Sequence, residues 1–155
     1  MLIVALALEA VQPPPADNGW ARFSAHQARS RIAVDVAIGT TRSASGKPVY
    51  WVRRTTKRPG QWAEVSRTDS VRCPAVLTML RSMRDLPAPR PAPPLLDNAD
   101  IVVTADGTGY ELHAPAAYPG KGEGEMTLSS NIGTPLADWV ERSLAALRPC
   151  LPPVL

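Results

Sequence analysis

The chain contains no apolar run approaching the roughly 18 residues that a membrane-crossing helix needs. It has only two cysteines and two histidines in 155 residues. A metal centre needs several thiolate or imidazole ligands at workable spacing, and this supply is too thin for one. No C-x-x-C redox pair and no G-x-S-x-G nucleophile elbow is present. Gly39 followed by Gly46-Lys47 is not a phosphate-binding loop. The spacing departs from that motif, and Pro48 stands where a Ser or Thr would ligate Mg²⁺ and open a helix. Paired carboxylates of the glycosidase kind could be drawn from Asp35, Glu64, Glu111, Glu123 and Glu125, but scattered surface acids always allow such a choice. The residues call for no cofactor and no metal.

Proline, by contrast, is abundant, at 17 residues. It clusters at Pro13–Pro15 and across 87–94, so it marks linkers and not strand interiors. Residues 1–19 read as an apolar leader with a Pro-rich lead. Residues 20–155 read as a single α+β domain crossed by a polyproline-type connector at 87–94. Met1 to Leu8 is apolar without a break and is followed by Glu9-Ala10, which matches the apolar core and cleavage region of a signal peptide. The positive charge normally found ahead of that core is missing, and a first β-strand is the competing reading. No cysteine follows the run, so a lipid anchor is not supported.

Two helices stand out. Thr134-Pro135 is a helix start, since Thr caps free N–H groups and Pro tolerates the first helical position. Leu136, Trp139, Val140, Ser143, Leu144 and Leu147 then form one continuous helical face, with Pro149 as the stop. The first helix begins between Ser70 and Pro74 and runs to about Leu86, with Cys73, Val76, Leu77, Leu80 and Met83 on its buried face.

Strands are predicted over 20–27, 31–38, 49–55, 62–68, 101–104, 110–113 and 125–130. Arg31 to Ile38 has the clearest alternation, and Asp106-Gly107 is read as a hairpin turn before Tyr110. The predicted fold is one antiparallel sheet of about six strands with both amphipathic helices packed on one face. If the helices lie antiparallel, Cys73 and Cys150 meet. The disulfide would close a 77-residue loop, about 4.5 kcal/mol in the chain-entropy model. Such a bond persists in an oxidising compartment, which places the protein in the periplasm or outside the cell, with the cytoplasm as the alternative.

Charge divides along the chain. Residues 1–90 hold 14 Lys/Arg and 6 Asp/Glu, a net +8; residues 91–155 hold 3 and 8, a net −5. The one constellation above background is Tyr50, Trp51, Arg53, Arg54, Lys57, Arg58, Trp62 and Arg67. Aromatics interleaved with cations suit an anionic glycan or the acidic face of another protein. The competing reading turns the Trp and Tyr side chains into the core and leaves the cations in solvent. The sequence therefore favours a non-catalytic exported binding protein, an envelope or secreted accessory or inhibitor-like module. A small hydrolase using His26 or His113 is the first alternative. A cytoplasmic protein that binds anions or nucleic acid is the second; nucleic acid is disfavoured if the chain is exported.

Overall fold

The computed structural model of the chain describes residues 19–90, 107–117 and 122–151. Strands β1 (Ala21–Gln27), β2 (Ala33–Arg42), β3 (Pro48–Lys57) and β4 (Glu64–Asp69) precede helix α1 (Ala75–Arg84). Strands β5 (Thr108–Ala117) and β6 (Glu123–Ser130) precede helix α2 (Pro135–Leu147), which runs into a 3₁₀ turn at Arg148–Cys150. The six strands form one antiparallel sheet in the order β4-β3-β2-β1-β5-β6. The first four are a meander. After α1 the chain adds β5 and β6 on the far side of β1, so the first strand becomes a central one.

The alternation in β1 and β2 has its predicted consequence. Phe23 lies opposite Val36 on one side and Leu112 on the other, and Ile38 lies opposite Val52. All five are buried. The indole of Trp139, from α2, packs edge-on against the Phe23 ring with centroids 5.0 Å apart, an arrangement aromatic pairs favour. Its Nε1–H donates to Ser82 Oγ at 3.0 Å, which satisfies a buried polar group and ties α2 to α1. The Tyr110 hydroxyl donates to the Glu141 carboxylate, a second link between sheet and α2. Burial first, and this bond second, push the phenol's pKa above its ordinary value.

Both helix starts follow the sequence logic in part. Thr134 Oγ1 accepts from the Ala137 N–H at 3.1 Å, as a capping threonine should. In α1, Val76 and Met79 are the buried residues, while Leu77 is half-exposed. The helix is turned so that 76, 79, 80 and 83 form the inward stripe, which is the tighter i, i+3, i+4, i+7 set. Cys73, just ahead of α1, and Cys150, just past α2, form a disulfide with Cα atoms 5.8 Å apart.

Several boundaries differ from the sequence reading. Strands β2 and β3 continue to Arg42 and from Pro48, well beyond the apolar alternation, and are closed by a turn in which Gly46 takes φ 77°. Ladder pairing needs backbone groups and not apolar side chains, and Thr40 and Thr41 are good strand residues. β5 begins at Thr108, inside the predicted turn, because Gln27 and His26 pair with Thr108 and Gly109. Trp62 precedes β4 and does not belong to it. Residues 1–18 of the predicted leader and lead, the end of the connector at 91–94, the strand at 101–104 and Asp106 lie outside the described residues.

Candidate functional site

Strand alternation that sends Phe23 to the core sends Arg22, Ser24 and His26 to the opposite face. The register then assembles residues that are far apart in sequence. Arg67 lies opposite Arg53, Arg53 opposite Ala37, Ala37 opposite Arg22, Arg22 opposite His113, and His113 opposite Thr127. These six positions form one row across the whole sheet. Neighbouring strands lie about 4.8 Å apart, so the Arg53 and Arg22 backbones are separated by about 10 Å, with the small Ala37 between them. The next row carries Asp35, Ser24 and Glu111. A cationic line thus runs beside an acidic one.

The acidic row is tied to the rows on both sides, to His26 and Lys57 in a third row through Asp35 and to His113 in the first through Glu111. Asp35 sits 3.7 Å from His26 Nε2 and 3.6 Å from Lys57 Nζ. Glu111 sits 3.2 Å from His113 Nε2, Arg22 comes within 3.5 Å of the same nitrogen, and Thr127 Oγ1 lies 2.9 Å from His113 Nδ1. Exposed pairs of this kind are worth only about 0–1 kcal/mol each. A ligand can therefore replace them at little cost. A basin of about 630 Å³ lies over this face, bordered by Trp20, Arg22, Asp35, Arg53 and His113 among others.

Trp51 adds an aromatic surface to the same face. It lies opposite Gly39, and a Cβ placed on Gly39 would fall within 2.0 Å of the indole. The ring therefore occupies the space that a side chain at 39 would take. Two residues further along β3, and on the same face, is Arg53.

Of the eight residues singled out from sequence, the fold brings Trp51, Arg53, Lys57 and Arg67 to this face. Tyr50 and Arg54 occupy the other set of alternate positions, with the core. Arg54 donates to the Leu151 carbonyl at 2.6 Å. Burial is the main influence lowering its pKa; Glu64 opposes this, and Arg58 and Arg148 lower it further. Arg58, in the loop ahead of β4, pairs with Glu64, the first residue of that strand, and Trp62 in the loop is 95% exposed, so it contributes nothing to the core. Arg22 and Thr127 were not picked out from sequence. Alternation placed Arg22 opposite Phe23, but only the β1–β5 pairing brings it to His113.

The arrangement around His113 has a nucleophile, base and orienting carboxylate in line: Thr127, His113 and Glu111. Acyl transfer also needs donors for a developing oxyanion. On the face of a central strand the backbone N–H groups are committed to the ladder, so they point along the sheet and not at a bound carbonyl. His26 reaches Asp35. Among the described residues no group of three or more His, Cys, Asp or Glu could hold a metal ion, and no helix is long and apolar enough to cross a membrane. No family model matches the chain, and neither a curated protein nor a solved structure does.

Proposed function

We propose that this is a non-catalytic, exported binding module in which both helices cover the Phe23 face of the sheet and the Arg22 face is left to a partner. The partner presents anionic groups, as the acidic surface of another protein or an anionic glycan does. The row Arg67, Arg53, Arg22 and His113 carries this reading, because register gathers arginines from three strands into one line, with an imidazole from a fourth at its end. Trp51 beside it offers apolar area, and Arg recognises carboxylate and sulfate-like groups in bidentate fashion. The helix placement is supported by Trp139 against Phe23 and Tyr110 against Glu141. Export is supported by the Cys73–Cys150 bond together with the apolar Met1 to Leu8 run. The test is heparin retention at fixed salt. Arg22→Glu combined with Arg53→Glu elutes well before the unaltered chain, and unchanged retention removes the proposal. Arg54 is left alone, since its bond to Leu151 makes it structural.

A hydrolase is the second reading, favoured by the Thr127–His113–Glu111 alignment alone. Turnover of an activated ester that disappears in both Thr127→Val and His113→Gln would promote it above the binding reading.

A further inference from the structure

A second concavity shares Trp20, Ala114, Pro115 and Met126 with the basin over the Arg22 face but takes in none of the cationic row. Tyr50, Leu80, Met83, Leu86, Met126 and Leu128 all pack against the core yet remain only partly buried. All six line the same cleft, whose volume is about 980 Å³. One wall is the second half of α1; the other is formed by residues of β2, β3, β5 and β6. Small-molecule sites occupy roughly 300–1,000 Å³ and are mainly apolar with few polar groups, and this cleft has both properties. The six side chains leave apolar area open to water at the cleft, which an apolar ligand would cover favourably.

Among the described residues, the charged ones at the cleft are Arg81 and Arg84, and none that line it is Asp or Glu. Being i and i+3 on α1, they project from neighbouring positions of one helical face, with about 4.5 Å of rise between them. Their two full charges outweigh the roughly half negative charge of that helix end. An apolar slot whose described rim carries two guanidinium groups fits an amphiphile with an anionic head. We infer that the cleft holds the hydrocarbon tail of a straight-chain fatty acid, with its carboxylate at Arg81 and Arg84. A neutral lipid would leave the guanidinium pair without a partner, and a peptide strand would bring backbone polar groups against Leu80 and Leu128, where they would find few hydrogen-bond partners.

Calorimetric titration of the full chain with octanoate, decanoate, dodecanoate and dodecanol tests this. The expected result is saturable 1:1 binding of the acids, tightening about fourfold for each added methylene. Arg81→Glu with Arg84→Glu, both exposed positions, weakens dodecanoate at least tenfold and leaves dodecanol unchanged. Leu128→Trp, which fills the cleft, abolishes binding of both. Absence of saturable heat, affinity independent of chain length, or undiminished dodecanoate binding in the double arginine variant would each overturn the inference. So would a concentration-dependent dimer that takes up no dodecanoate, since the cleft would then belong to a second copy of the chain.

Discussion

The two faces of this sheet are made from alternate residues of the same strands, and they are held in different ways. On the Phe23 face, the central side chains from β1, β2, β3, β5 and α2 exclude water almost completely, and only the margin beside the end of α1 is open. Contact there is by shape, and a lost group leaves a void that neighbours fill poorly. On the Arg22 face, neighbours meet through long, partly solvated ion pairs, which solvent can replace at little cost. Such a division lets the Arg22 face be altered without loosening the Phe23 face. It also predicts that substitutions one position apart in β1 behave very differently.

The largest effect belongs to the tie beside the covered face. Cys73→Ser with Cys150→Ser removes a 77-residue closure and should cost about 4.5 kcal/mol in the chain-entropy model, within a usual range of roughly 2–5. Urea unfolding monitored by tryptophan emission measures it; a loss below about 1 kcal/mol would mean that helix packing alone holds these ends. Next comes the direct contrast. Phe23→Ala should cost about 3–5 kcal/mol, because it opens a cavity beneath Trp139. Arg22→Ala, one residue away, should stay within about 0.5 kcal/mol. Similar losses at the two positions would show that the faces are not energetically distinct.

The covered face was the legible one, for a physical reason. Burial imposes a period of two on strands and 3.6 on helices, so Phe23, Val36, Ile38, Trp139 and Val140 announce themselves from local spacing. The cysteine pairing could be reasoned from where the helices begin and end. The open face carries no such period. Its cationic row depends on which strands become neighbours, and the β1–β5 pairing that joins Arg22 to His113 spans 91 positions. Basic residues contiguous in sequence were misleading here: alternation turns Arg53 and Arg54 to opposite sides, and Arg54 ends on the Leu151 carbonyl. Trp62 shows the same weakness. An aromatic next to a strand fits an alternating pattern on paper, but the chain enters β4 only at Glu64 and leaves the indole in solvent.

One position on the open face should break the simple contrast. The indole of Trp51 rests where a side chain at residue 39 would stand, so here two residues of the face are in close contact. Gly39→Ala forces the ring to move and should cost about 1–3 kcal/mol, the usual penalty of overpacking. Trp51 emission should shift to longer wavelength as the ring is lifted into water. The strain resides in the pair and not in the strand backbone, so Gly39→Ala in a Trp51→Ala background should cost much less, and the coupling is read from a double-mutant cycle. If Gly39→Ala proves neutral in the unaltered chain, the indole slides freely. Trp51 would then be a mobile group beside Arg53 and not a fixed part of that surface.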